Sequence, residues 1–258
     1  MGENKGDGDD GFAVVMNQVA QTMGMTRCHV KNVTGLPDEG HYTTAKDLSI
    51  LARALIRDFP EHYKVYKEKY FSYNDIRQAN RNSLLWRDDA VDGMKTGHTE
   101  AAGFCLVASA EKKDMRLVSV VMGATSERAR STESQKLINY GFRYFESVKL
   151  YDGLESLRRV KVWGGLHESL DVGIEAPARL TIPTGARGAL AAEVTLDPVI
   201  KAPVSQGQTL GLLRISLEGE TMLERPVVAL NGVDEAGLVS SLSDEVSLFF
   251  LLLVLGDT

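Results

Sequence analysis

No stretch of this sequence is apolar for long enough to cross a bilayer. The longest uninterrupted apolar run, Leu248 to Leu255, falls far short of the roughly 20 residues that a spanning helix needs. Cysteine is nearly absent. Cys28 and Cys105 lie far apart with no CxxC or Cys/His ligand spacing, which excludes a disulfide framework and a structural zinc site and leaves two buried free thiols as the expectation. The five histidines, His29, His41, His62, His98 and His167, form no i,i+4 pair and have no carboxylates at ligand spacing, so neither metal nor cofactor is expected. Basic charge is in deficit, with 29 Lys and Arg against 35 Asp and Glu, a net charge of −6, and no basic stripe. A nucleic-acid surface would need clustered cations to neutralise phosphates, and nucleic acid is set aside as a partner. The opening "MGENKGDGDDG" lacks the positive start and apolar core of a secretory signal. Residues 1–11 read as a solvated tail.

What is present suffices for one large domain or two small ones in 258 residues. From Phe12 the apolar positions Phe12, Val15, Met16, Val19, Ala20 and Met23 recur at helical spacing, with Gly24 where a C-terminal cap belongs. Thr44 followed by Asp47 has the spacing of a capping box, and Leu48, Leu51, Ala52, Leu55 and Ile56 mark a second amphipathic helix ending before Pro60. The run "GFCLVASAEKKDMRLVSVVMG" reads as an antiparallel hairpin turning at Glu111 to Asp114. Helical spacing returns between Ser126 and Phe145 through Leu137, Ile138 and Phe142. Helix, helix, hairpin, helix make an α+β layer structure over residues 12–147. Residues 148–233 change texture, to short alternating segments such as "RVKVWGG", "ARLTIP", "AAEVTLDP" and "LGLLRISLEGE", and read as a small all-β domain. Residues 234–258 read as an amphipathic helix that docks on protein or, over residues 238–255, lies on a membrane surface.

Lys95-Thr96-Gly97 is the stretch with a definite chemical use. At the edge of a sheet, such a lysine supplies positive charge, the threonine hydroxyl donates to a ligand carboxylate, and the glycine lets a ligand backbone lie against the strand. Around it, "NVTGLPDEGHYTTAKDLSILARALI", "QANRNSLLW", "VDGMKTGHTEAAGFCLVASA" and "RLVSVVMGATSERARS" follow in one order. Together they closely resemble the low-molecular-weight penicillin-binding proteins, the serine D-alanyl-D-alanine carboxypeptidases, and the likeness runs from Phe12 through the β-rich part. The resemblance implies an incomplete β-lactamase/transpeptidase-like helix–sheet domain followed by the all-β domain. It implies removal of the terminal D-alanine from peptidoglycan stem peptides through an acyl-serine, trapping by β-lactams, and a place on the periplasmic face of the bacterial inner membrane. By motif, Lys95 is implied as catalytic, Thr96 and Gly97 as substrate-binding, and the backbone amide of His98 as one arm of an oxyanion hole. A basic residue for the substrate carboxylate falls on Arg130, with Arg128 as the alternative.

The resemblance implies two more elements, an SxxK motif carrying the nucleophile and an SxN motif, both upstream of the region where this chain begins. Two look-alikes exist. Ser109-Ala110-Glu111-Lys112 fits SxxK but falls at the hairpin turn, where serine and lysine do not meet as they would on a helix. Ser72-Tyr73-Asn74 fits SxN but follows the "TTAKDLS" helix instead of preceding it, and is expected in a strand or turn. The side chain of His98 is expected to be structural. The reading is therefore an N-terminally truncated carboxypeptidase relative, inactive by itself. Its alternative is a non-catalytic cell-wall or membrane-associated binding module. Asp244 and Glu245, with no Lys or Arg after Arg225, leave only apolar attachment to a membrane.

Overall fold

A computed structural model describes residues 9–237, and the chain falls into two compact units, Met1–Tyr144 and Phe145–Thr258. In the first, helices α1 (Asp9–Thr22), α2 (Ala45–Asp58), α3 (Pro60–Tyr63) and α4 (Glu127–Tyr144) accompany five strands. Strands β1 (Tyr70–Tyr73) and β2 (Ile76–Ala79) form a hairpin. Strands β3 (Val91–Thr99), β4 (Gly103–Lys112) and β5 (Met115–Ala124) form an antiparallel sheet in the order β3-β4-β5.

The expected hairpin is β4–β5. Lys113 and Asp114 at its tip both have positive φ, 50° and 61°, the backbone of the tight turn that matches the strands' own twist. Leu106, Ala108 and Ala110 from β4 pack with Ile138 of α4 and with Leu84 and Leu85. A second cluster joins Ala52 of α2 to Tyr63, Met94, Val107 and Val118. The sheet is thereby covered by α4 through one cluster and α2 through the other.

The helices differ in detail from the apolar pattern. Thr44 caps α2 as expected, its hydroxyl accepting the Asp47 N–H at 3.1 Å. The Asp47 carboxylate, instead of reaching back to Thr44, accepts the Arg27 N–H at 2.8 Å. It is thus a buried tie between helix and preceding loop. On α1, Val15 and Val19 are exposed, and the buried positions are Ala13 and Ala20. The reason is Asn17 between them, whose side chain accepts from the Val30 N–H at 2.8 Å and donates to the Val30 carbonyl at 2.7 Å. A polar anchor, worth roughly 1 kcal/mol per bond, turns the helix away from its apolar stripe. On α4, Leu137 is exposed and the inward face is Arg130, Ser131, Ser134, Ile138 and Gly141. Small residues let the helix lie close to β5; a Cβ at Gly141 would run into the Leu117 side chain.

The second unit is all-β. Strands β6 (Phe145–Tyr151), β7 (Arg158–Lys161), β8 (Ser169–Gly173), β9 (Ala178–Pro183), β10 (Leu190–Leu196), β11 (Thr209–Leu217) and β12 (Glu220–Ala229) form a five-stranded sheet, β10-β11-β12-β8-β7, and a β6–β9 pair. In β9 the burial strictly alternates, as a half-buried strand requires. One core, including Leu170, Ile182, Leu213, Ile215 and Val227, is shared by both sheets. The architecture is α+β with a C-terminal all-β domain. Within 234–237, Glu235 bridges to Gly165. The rest of the expected terminal helix, and the membrane-facing segment 238–255, lie outside the described residues.

Candidate functional site

Register fixes the triplet. Lys95, Thr96, Gly97 and His98 of β3 pair with Val107, Leu106, Cys105 and Phe104 of β4, so Thr96 and His98 share one face of the sheet and Lys95 and Gly97 the other. Thr96 is buried, and Lys95 is exposed, its ammonium donating to the Thr96 carbonyl. The sheet order leaves β3 at an edge.

The start of β3 is held by a polar group. The Tyr63 hydroxyl donates to Asp92 at 3.2 Å, and Arg116 donates to Asp92 at 2.7 Å and to Ser109 at 2.8 Å. Burial pushes the Tyr63 phenol well above its ordinary range, and the neighbouring Asp92 carboxylate adds to the shift. Burial acts to lower the Arg116 pKa, but the Asp92 and Glu111 carboxylates outweigh it and hold the guanidinium above its ordinary value. Gly93 packs so closely against Tyr63 that a Cβ would collide with the phenol oxygen. Asn82 donates to the Gly93 carbonyl at 2.9 Å while its own amide oxygen accepts from the Leu84 N–H. These contacts set where the triplet emerges.

Arg130 comes to the triplet from the first turns of α4. Ser126 starts that helix, its hydroxyl accepting the Ala129 N–H at 3.1 Å. Arg130 is 2% exposed. It donates to the Gly97 carbonyl at 3.1 Å and to Glu127 at 3.2 Å, and its Nε is buried with no hydrogen-bond partner. Its guanidinium stands 5.6 Å from the centre of the Phe104 ring, which stacks on His98 at 3.9 Å. The His98 ring is thus packed against an aromatic. Arg128, two residues away, is exposed.

A depression of about 210 Å³ is lined by Thr96, Gly97, His98 and Arg130, together with Arg81, Phe104 and Glu127. Two arginines against one carboxylate, beside a strand edge and a threonine hydroxyl, suit a carboxylate ligand. Arg81 is the member that motif reasoning missed. Its sequence signal was the polar "QANRN", whose two asparagines fix the loop: Asn80 bonds the Tyr66 and Glu68 carbonyls and Asn82 ties to β3.

The look-alike motifs lie elsewhere. Ser109 is fully buried in β4 and holds Arg116, while Lys112 is exposed at the strand's end. Three residues apart on a strand, they point to opposite faces. Ser72 is exposed in β1, and Asn74 sits in its turn with φ 46°. Cys28 and Cys105 are both free. Among the described residues no cluster of three or more His, Cys, Asp or Glu could hold a metal ion.

A family profile described as D-alanyl-D-alanine carboxypeptidase matches residues 1–126. A second, the penicillin-binding protein 5 C-terminal domain, matches residues 145–235. The chain is 39% identical over 243 residues to the D-alanyl-D-alanine carboxypeptidase DacA of Escherichia coli K12, covering 93% of this chain and 60% of that protein. It is 41% identical over 243 residues to DacC of the same organism, covering 93% of this chain and 61% of that protein. It therefore spans about 60% of the length of these relatives. Penicillin-binding protein 5 from Haemophilus influenzae superposes with a TM-score of 0.80 at 37% identity, covering 91% of this chain and 69% of that structure.

Proposed function

The chain belongs to the D-alanyl-D-alanine carboxypeptidase family, and on that premise we propose that its first unit is the carboxylate-binding wall of a penicillin-binding serine peptidase. The ligand is a peptide ending in D-Ala-D-Ala, or a β-lactam that mimics it. Its terminal carboxylate lies against Thr96 and Arg130, its backbone runs along the free edge of β3 at Gly97, and the His98 N–H serves its scissile carbonyl. The observation that carries this reading is Arg130. A buried guanidinium with an unspent Nε–H, anchored on the carbonyl of Gly97, is costly to keep unless an anion completes it.

The 258-residue chain by itself does not hydrolyse such peptides. The burial of Ser109 and the opposite facing of Lys112 support this, since a serine becomes a nucleophile only beside a base within hydrogen-bond reach. The setting consistent with the reading is the periplasmic face of a bacterial inner membrane. The alternative, a cell-wall binding module without turnover, uses the same wall for binding alone.

Intact-mass spectrometry after incubation with a penicillin tests the catalytic half of this reading. The expected spectrum is the unmodified mass, because Ser109 is buried and occupied by Arg116, with Lys112 on the opposite face of its strand. A single covalent adduct mapped to Ser109 would overturn it.

A further inference from the structure

The β1–β2 hairpin carries a face that the fold does not use. Register pairs Phe71 with Gln78 and Tyr73 with Ile76, and side chains directly opposite in an antiparallel pair share a face. Those four therefore lie side by side. Phe71, Tyr73 and Ile76 are 67%, 68% and 61% exposed, and the Phe71 and Tyr73 rings lie parallel, 9° between planes with centroids 6.5 Å apart. The opposite face ties the hairpin down: Arg77 stands 3.8 Å over the Tyr70 ring, and Trp86 meets that ring edge-on at 5.9 Å. A lone two-stranded hairpin is marginal in water, and large apolar side chains left in water on it add nothing to its stability. A patch of that kind marks a contact surface.

The chain runs from this hairpin directly into the depression. Strand β2 ends at Ala79, Asn80 fastens the hairpin base to the Tyr66 and Glu68 carbonyls, and Arg81 lines the depression. In a chain of net charge −6, residues 64–81 carry five Lys and Arg against two acidic residues. Parallel rings in succession along a strand suit a sugar polymer. A pyranose turns C–H bonds to one face, and those weakly positive hydrogens pack on the negative face of an aromatic ring. Its hydroxyl and acetamido groups stay at the rim, where the Gln78 amide offers both donor and acceptor. A stable protein interface takes roughly 20–30 residues a side, far more than this face holds. Insertion into anionic lipid would carry the tip, Asn74-Asp75, into the interface, and the exposed Asp75 is repelled there.

We infer that Phe71, Tyr73, Ile76 and Gln78 form a docking face for the N-acetylated glycan strand that carries the stem peptides. The basic surround suits the free carboxylates of those peptides. The inference rests on the carboxylate-binding reading above and goes beyond it in giving the glycan a contact of its own, apart from the peptide's.

The probe is chitotetraose, a neutral, peptide-free β-1,4-linked oligomer of N-acetylglucosamine, titrated into the full chain and followed by NMR amide shifts. Shifts are expected across residues 70–79. Phe71→Leu is expected to weaken binding about tenfold, since leucine keeps the apolar bulk and loses the ring, and Tyr73→Phe is expected to bind like the parent. A blocked tripeptide ending in D-Ala-D-Ala, titrated in parallel, should move the Gly97 and His98 amides alike in the parent and in Phe71→Leu. Absence of hairpin shifts with chitotetraose, or equal affinity in Phe71→Leu, overturns the glycan face and leaves the carboxylate wall untouched. Hairpin shifts with chitotetraose but no binding of the peptide keep the glycan face and sink the wall. Sedimentation with phosphatidylglycerol vesicles that is lost in Phe71→Leu, with no response to chitotetraose, gives the face to lipid and overturns the proposal. If Phe71→Leu loosens the hairpin, the shift map of the unaltered chain still decides the matter.

Discussion

Arg130→Gln is expected to weaken binding of a blocked tripeptide ending in D-Ala-D-Ala by roughly 30-fold or more. That is the lower end of the ~2–5 kcal/mol lost when one partner of a desolvated charge pair is removed. The guanidinium is almost wholly enclosed, bonds the Gly97 carbonyl and keeps an Nε–H without a partner. A ligand carboxylate there meets a cation already stripped of water and held in place. Glutamine supplies neither the charge nor the fork. Arg128→Gln is the control, since that side chain is exposed one short step along the same helix, and screened surface charges contribute ~0–1 kcal/mol. Titration of both variants, with circular dichroism melts to confirm folding, separates the two arginines. Equal losses in the two would remove Arg130 from the carboxylate site.

Gly93→Ala is expected to destabilise the first unit by ~1–3 kcal/mol, the range for forcing atoms into a packed site. The added methyl has no room because the Tyr63 phenol oxygen occupies its place, with Asp92 and Arg116 holding that oxygen. The second half of the prediction is its partial reversal. In Tyr63→Phe the obstructing oxygen is gone, so Gly93→Ala in that background should cost clearly less than in the parent chain. Four urea unfolding curves complete the double-mutant cycle. Additive losses would show that the two residues do not oppose each other and that something else fixes the start of β3. A shift of the Lys95 and Thr96 amide resonances in Gly93→Ala, measured alongside, would show the disturbance reaching the triplet.

Legibility varied with how each element earns its place. The β4–β5 hairpin was readable because its strands alternate and its turn is charged and tight. The start of α2 was readable because Thr44 obeys a local rule, although Asp47 spends its carboxylate on Arg27, a partner 20 residues away that no local rule reaches. The inward face of α1 was misread because a hydrophobic stripe gives no weight to Asn17, whose two bonds to Val30 outweigh two exposed valines. The β1–β2 hairpin was read only at Ser72-Tyr73-Asn74, expected in a strand or turn, because all eight of its strand residues are exposed. With no buried face it has no alternation to detect, and only Asn74-Asp75, both at positive φ, announces the turn. Of the residues named from motif and resemblance, Thr96, Gly97, His98 and Arg130 line one depression, while Lys95 is exposed and does not line it. Arg81 was not legible, since its place in the depression depends on asparagine bonds from neighbouring residues to distant carbonyls.

Gly97 has a consequence that its place in the strand does not advertise. Its φ lies outside the left-handed region, and a Cβ there would find only the Cβ of Cys105, at a comfortable 4.0 Å. The chain itself has no objection to a methyl group at this position, unlike at Gly93. Any demand for glycine must come from whatever lies alongside the strand. A survey of variants scored by melting temperature would rank residue 97 as indifferent, and one scored by ligand occupancy would rank it among the least tolerant. Stability and recognition are written in separate positions four residues apart on one strand, so evolution can tune either without renegotiating the other.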